Sequence, residues 1–364
     1  MTAASPPATR PRPLIWVLTG AKAGDNAQVL RAAGAIGLPF VAKAITLRPD
    51  FETAKPAVRP SLHHIDREAS APLEPPWPDL VLAIGRRLSL VALWIKQQSE
   101  GQARIALFNA PKGSAEDFDL VIAPVYYKLA DHPRLLRIGL PLIALDEGRV
   151  EEARSAFAGT IGAMPKPLTA LLLGGGTSNL RLSPGEAVAI FQRARASAGS
   201  IYVSTSRRTD PRIAEALAPV LAPGDRLFRW APNAASNPYF GLAAVADRFV
   251  VTGDSLSMIV EIARLGRPLA IAELPAVNRV MERSLAAIGW RDPQSAMGRR
   301  LLAIGTRWQP RDLDALYRYL YQNRLAVPLG APPVSEARPP PDDLPVVAER
   351  LRQLVGLAGL PSPR

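Results

Sequence analysis

Residues 249–271, FVVTGDSLSMIVEIARLGRPLAI, constrain the fold more than any other stretch of the chain. They run as an apolar strand, a polar turn, a short helix, a Gly-Arg-Pro break and a second apolar strand. That is one βαβ unit, and it requires a parallel sheet. Leu256, Ile259, Val260 and Ala263 make the helix's buried stripe. Asp254, Ser257 and Glu261 fall at i, i+3 and i+7, so they are expected to project together from another face. Ser255 stands where its hydroxyl would cap the helix. A carboxylate on that face suits the two hydroxyls of a ribose, and the helix N-terminus beside it suits a phosphate.

The same alternation runs through the rest of the 364 residues. Strands are predicted at 14–19, 40–47, 79–84, 103–109 and 120–123, with helices at 27–36 and 89–98. The pattern restarts with strands at 168–173, 201–204 and 226–230, and helices at 184–198, 211–221, 313–323 and 346–357. This predicts an α/β protein of two Rossmann-like parallel-sheet domains. The boundary is placed near 164–167. A disordered Pro-rich tail covers 1–13, the first domain 14–165, the second 166–327, and a Pro-rich linker with a final helix 328–364. Residues 49–78 read as a long irregular connection. His63 and His64 within it, and the isolated His132, are expected at the surface.

Chemistry-bearing residues gather where strands end. Gly174-Gly175-Gly176-Thr177-Ser178-Asn179 follows one strand and precedes a helix. Glycines let backbone amides approach a pyrophosphate, and Thr177 and Ser178 add hydroxyls. A tight strand–helix turn would use glycine too. The loop has neither the GK[ST] ending of a Walker A loop nor a GxGxxG pattern. Ser206, Arg207 and Arg208 leave the next strand, and arginine's planar fork suits a diphosphate, although two adjacent side chains should diverge. Asn237 and Tyr239, in NPYFG, open a helical turn with Asn as its cap and Pro behind it. In the first domain Gly20, Lys22, Gly24, Asp25 and Asn26 form the loop after the first strand. Gly85, Arg86 and Arg87 form the exit loop of a later one. Asp25 is the carboxylate best placed to act as a general base, or to cap the following helix.

Composition narrows the class. The chain has no cysteine, so it has no disulfide and no thiolate metal site. Asp312-Leu313-Asp314 resembles a DxD metal motif but is explained by the start of an amphipathic helix, and no metal or cofactor is expected. The N-terminal residues lack an apolar h-region, and no apolar run approaches a membrane span, which predicts a cytoplasmic protein. The net charge of +12 suits phosphate or an anionic membrane surface. It is dispersed and lacks an aromatic–basic platform, so no nucleic-acid partner is expected.

Two such domains, each with a nucleotide-type loop, predict a cleft between them, the GT-B arrangement; a single extended α/β enzyme is the structural alternative. The segments TGAKAGDNAQ (19–28), IGRR (84–87), FDLVIAP (118–124), GGGTSNLRL (174–182), STSRRTDP (204–211) and 237–271 together resemble a known family. It is the glycosyltransferase-like family related to the plant mitochondrial-fission protein, with many bacterial members. The likeness runs from about residue 14 to 309 and is most specific over 204–271. It implies a GT-B-like glycosyltransferase whose second domain holds a nucleotide sugar. Glu261 would bind the ribose, and Ser255, Ser257 and the GGGTSN loop the diphosphate. A saccharide or lipid-linked acceptor would sit on the first domain, at Gly20, Lys22, Gly24, Asn26, Arg86 and Arg87. A non-catalytic scaffold at a membrane and a nucleotide-sugar epimerase are the alternatives. The chain departs from the family at Val125-Tyr126-Tyr127-Lys128, where an acidic-His-Asp run is expected, and at the GGGTSNL loop itself.

Overall fold

The computed structural model describes residues 12–54, 56–111, 115–177, 180–232, 237–275, 277, 295, 312–334 and 336–357. The predicted tail over 1–13 falls mostly outside the described residues, as do Ser178 and Asn179. The chain forms two compact units. Among the described residues, those up to 138 and from 343 onward form the first, and 139–275 with 312–342 form the second.

The first unit is built on β1 (Ile15–Thr19), α1 (Ala23–Ile36), β2 (Val41–Ala44), β3 (Thr46–Leu47), α2 (Asp50–Thr53), β4 (Ile65–Asp66), β5 (Leu80–Ile84), α3 (Gly85–Gln98), β6 (Arg104–Phe108), β7 (Leu120–Pro124) and β8 (Leu135–Ile138). Its main sheet is parallel throughout, in the order β2-β1-β5-β6-β7-β8. β5 and β7 are buried along their whole length. Unbroken apolar runs such as LVLAI mark strands covered on both faces. The region 49–78 is more structured than expected: β3 and β4 pair antiparallel, and His64 is 0% exposed. Its Nε2 lies 3.0 Å from the Arg87 carbonyl, so His64 is a core group and the surface expectation fails for it. Burial also pulls its pKa down. Tyr126 and Tyr127, where the sequence leaves the family pattern, are buried with ring centroids 4.8 Å apart.

The second unit comprises α4 (Glu147–Phe157), β9 (Leu168–Leu172), α5 (Pro184–Arg195), β10 (Ser200–Ser204), α6 (Pro211–Leu217), β11 (Arg226–Phe228), α7 (Tyr239–Val245), β12 (Arg248–Thr252), α8 (Leu256–Arg264), β13 (Leu269–Ala272), α9 (Leu313–Gln322) and β14 (Val327–Pro328). Its sheet is also parallel, in the order β11-β10-β9-β12-β13-β14. Polar residues start the helices: Asp146, Ser183, Asp210 and Asp312 each accept an early amide through the side chain. Pro184 and Pro211 occupy the first helical position, where no amide is needed. Helix α4 packs on α7, which places the division between units at Ile138/Gly139, ahead of residues 164–167.

The last helix, α10 (Leu344–Leu354), returns to the first unit and packs on α1. Arg352, 2% exposed, is its anchor. Its Nε and Nη2 donate to the carbonyls of Ile36 (3.0 Å) and Ala35 (2.7 Å), the last turn of α1. A cation at a helix C-terminus satisfies carbonyls that have no partner within the helix and meets the negative end of its dipole. Among the described residues no helix is long and apolar enough to cross a membrane. Replacing Arg352 by Met keeps the volume but strands those carbonyls, and should lower stability by about 2–4 kcal/mol. Urea unfolding of Arg352→Met checks this; an unchanged midpoint would mean that α10 is only loosely attached.

Candidate functional site

In each sheet the chain reverses its direction of travel once. β1 leads outward to β2 and then back past itself to β5, and β9 likewise leads to β10 and back to β12. Loops on either side of such a switch point diverge beyond the carboxyl ends of the strands and leave a crevice for ligands. In the second unit the diverging loops are those after β9 and β12, which contain the glycine run and Asp254.

Asp254 is the centre of this region. Its side chain is 0% exposed. One oxygen, Oδ2, accepts from the amides of Gly175 (3.0 Å) and Gly176 (3.1 Å), from Arg208 Nη2 (3.3 Å) and from Ser255 Oγ (3.4 Å). The Gly174 amide goes to Thr252 Oγ1 at 2.7 Å, and that of Thr177 to the Leu180 carbonyl at 2.9 Å. The glycine amides expected to face a pyrophosphate therefore bond inward. Glycine is needed here for approach: a Cβ on Gly175 would run into the backbone carbonyl of Arg208. Asp254 likewise turns into the loop rather than sharing a face with Ser257 and Glu261, because it precedes the helix and one of its two oxygens is held there; the other, Oδ1, is buried without a hydrogen-bond partner.

Ser255 occupies the N-cap position of α8 but makes no capping bond. Its hydroxyl is engaged by Arg208 Nη2 at 3.2 Å instead. The start of α8 thus keeps its amides without a side-chain cap, next to a guanidinium and the exposed Ser257. Arg208 also donates to the Gly176 carbonyl at 3.3 Å; both it and its neighbour Arg207 are exposed. Ser206 orders this turn with Thr209, whose hydroxyl accepts from the Ser206 amide at 2.8 Å and donates to the Gly174 carbonyl at 2.6 Å.

Farther along α8, half-buried Glu261 accepts from the Tyr239 hydroxyl. Asn237 Oδ1 accepts from the Tyr239 amide at 3.0 Å just ahead of α7, but the N-cap position is Pro238, not Asn237, and the helix starts at Tyr239. Sequence reasoning missed Thr252, Thr209 and Tyr317. The two threonines end a strand and a loop already singled out, where a hydroxyl was available to hold the glycines. Tyr317, from α9, donates to the Gly253 carbonyl at 2.8 Å, and nothing local could have signalled a contact 64 residues away.

The first unit has its own crevice at the β1/β5 switch point, a cavity of about 830 Å³ lined by Gly20, Lys22, Asp25, Asn26, Arg86 and Arg87 among others. Gly24 is exposed and lies on the first turn of α1. Asn26 clamps the loop, accepting from the Gly20 amide (2.9 Å) and donating to its carbonyl (2.7 Å). Asp25 is not the cap of α1; Lys22 holds that position and Asp25 sits in the first turn. The segment 85–87 is not an exit loop but the first turn of α3, which starts directly from β5 through Gly85 at φ +75. Arg86 Nη2 bonds the Pro56 carbonyl at 2.5 Å, and Arg87 Nη2 those of Glu52 (2.8 Å) and Ala54 (3.0 Å). Among the described residues no three His, Asp or Glu side chains converge as a metal site.

The profile of the family described as Mitochondrial fission ELM1 matches residues 23–293. The chain belongs to that family. The Arabidopsis thaliana mitochondrial fission protein ELM1 is 26% identical over 219 residues, covering 53% of this chain and 51% of the plant protein. The chain thus spans about half the length of that relative. Protein RP120 of Rickettsia prowazekii is 24% identical over 306 residues, 72% of this chain and 84% of its own. Among solved structures, a UDP-GlcNAc 2-epimerase from Methanocaldococcus jannaschii overlaps at TM-score 0.48 and 12% identity, covering 94% of this chain and 99% of its own. The Acinetobacter baumannii MurG structure overlaps at 0.43 and 11% identity, covering 94% and 100%. Likeness at that level carries no argument about ligand or reaction. The matched span of the ELM1 family includes the residues of the second unit's crevice and, in the first, Asp25, Asn26, Arg86 and Arg87, but not Gly20 and Lys22.

Burial pushes the Glu261 carboxyl above its usual 4.5, against the opposing pull of the Tyr239 hydroxyl. The native state then holds a proton that the unfolded chain has released. The resulting stability is present below that usual value and is lost as pH rises through the raised one. Glu261→Gln removes the titration, so as pH rises above about 4.5 the urea midpoint of the wild type should fall relative to the variant's. Parallel curves would show that Glu261 is solvated like any surface carboxylate.

Proposed function

We propose that this ELM1-family protein binds a nucleoside-diphosphate sugar in its second unit and transfers the sugar to an acceptor held by the first. The observation that carries the reading is the start of α8. The helix begins without a side-chain cap, beside Arg208 and two serine hydroxyls, and a carboxylate lies further along the same helix. Six residues separate Ser255 from Glu261, about 9 Å of helix axis. That is comparable with the distance from a ribose diol to the distal phosphate of a nucleoside diphosphate. The distal phosphate would take the helix amides, Ser257 and an arginine. The ribose hydroxyls would donate to Glu261, displacing or sharing the Tyr239 hydroxyl.

The glycine run serves this reading indirectly. With its amides committed to Thr252 and Asp254, it is a wall that fixes Arg208 and Ser255 rather than a phosphate cradle. The diphosphate's charge would be met by donors and a helix dipole, so no divalent ion is required for the leaving group. In the transfer the acceptor oxygen would bond to the anomeric carbon as the bond to the diphosphate breaks, with the acceptor's proton passing to Asp25. Binding without turnover would mark a non-catalytic family member, and conversion of the donor alone an epimerase.

A thermal-shift screen with UDP, GDP, ADP, CMP and their sugar conjugates, without metal, tests the reading. One nucleotide should stabilise the protein, by about 2.7 kcal/mol at a hundredfold excess over Kd. Glu261→Ala should abolish the shift while leaving a cooperative unfolding transition. A shift that survives in Glu261→Ala would sink the proposed ribose contact, and no shift with any nucleotide would sink the function.

A further inference from the structure

We infer that the cavity in the first unit is a site for an amphiphile with an anionic head, specifically a phosphate monoester carried on an apolar body. Where transfer is concerned this rests on the reading above, naming the acceptor's chemical class; as a binding site it stands alone. Three features of the cavity lead to it. The volume of about 830 Å³ suits a ligand of roughly drug size. Much of its lining is aliphatic, with buried Ile45, Ile84 and Leu88 together with Leu47 and Pro56. The lining also carries three cations, Lys22, Arg86 and Arg87, against the carboxylates of Asp25 and Glu52.

Helix geometry adds to the positive charge of that lining. Both α1 and α3 begin at the cavity, and neither beginning is capped by a side chain. Each therefore presents early amides and the positive end of its dipole to the same space. The two adjacent arginines repel one another, and burial and the Arg87 charge both draw the Arg86 pKa down. An anion between the two helix starts relieves that repulsion. The Nε atoms of both arginines are shielded from solvent and have no hydrogen-bond partner, although each guanidinium is anchored elsewhere to a backbone carbonyl. Buried donors of this kind are the exception in folded proteins and call for an acceptor. The anchoring also keeps the arginines in place before a ligand arrives, which lowers the entropic cost of binding. A free sugar phosphate would satisfy the cations but leave the aliphatic lining wet, and a neutral lipid would do the reverse.

Isothermal titration of the full chain with hexyl phosphate, hexanol, inorganic phosphate and glucose 1-phosphate separates these sources. Hexyl phosphate should bind at least about tenfold more tightly than each of the other three, the equivalent of about 1.4 kcal/mol. Lys22→Glu reverses an exposed charge and Ala21→Trp obstructs the mouth; both should weaken hexyl phosphate at least about tenfold while the thermal unfolding midpoint holds. Equal binding of glucose 1-phosphate or hexanol would overturn the amphiphile, and full affinity in both variants would overturn the location. The donor nucleotide is titrated into the same samples. Loss of hexyl phosphate binding alone would fall on this inference, and loss of nucleotide binding alone on the nucleotide-sugar reading.

Discussion

The second unit depends on one carboxylate oxygen. Asp254 Oδ2 gathers two glycine amides from the loop after β9, a guanidinium from the loop after β10 and a hydroxyl from its own turn. These loops belong to neighbouring strands that diverge at the switch point, so nothing in the sheet itself holds them together. A charged acceptor strengthens each bond. Its complete burial is tolerated because donors and a counter-ion surround that oxygen, although the guanidinium is half exposed and the pair is correspondingly screened. The outcome is a preformed surface in which Arg208, Ser255 and the start of α8 have fixed positions before any ligand arrives.

That arrangement changes the part played by glycine. Close approach of backbone to an anion is what the GGG run provides, but the anion is the protein's own. In the proposed reading an external phosphate would be met instead by the uncapped helix and the side chains around it. Tyr317 contributes from the far side by fixing the Gly253 carbonyl, which makes α9 a support of the site although it lies well beyond it in sequence. The first unit uses the same logic with different groups: Asn26 ties its loop through an amide pair, and the arginines of α3 tie themselves to the neighbouring segment.

Much of the fold was legible because parallel strands buried on both faces leave unbroken apolar runs. Helices were legible where an acidic or hydroxyl residue precedes an amphipathic stretch, as at Ser183, Asp210 and Asp312. Two of the misreadings share one cause. At residues 22–26 and 85–87 the chain passes from strand to helix almost without a loop, so polar residues that resemble a loop belong to a first helical turn. His64 was misjudged because its neighbours are polar, while its burial arises from packing against Arg87, 23 residues on.

The sequence by itself determined the class of the fold, its parallel sheets and the strand ends where glycine, hydroxyl and arginine residues cluster, since these follow from local periodicity and from the residue types that strand ends require. Only the tertiary structure decided what those groups do. Whether an amide faces outward, which of two adjacent arginines is engaged, and whether a serine caps its helix or joins a network all depend on partners far away in the chain. Ser255 shows the difference most plainly. Its position at the helix start was readable from order alone, but an arginine 47 residues earlier claims its hydroxyl and leaves the helix start uncapped.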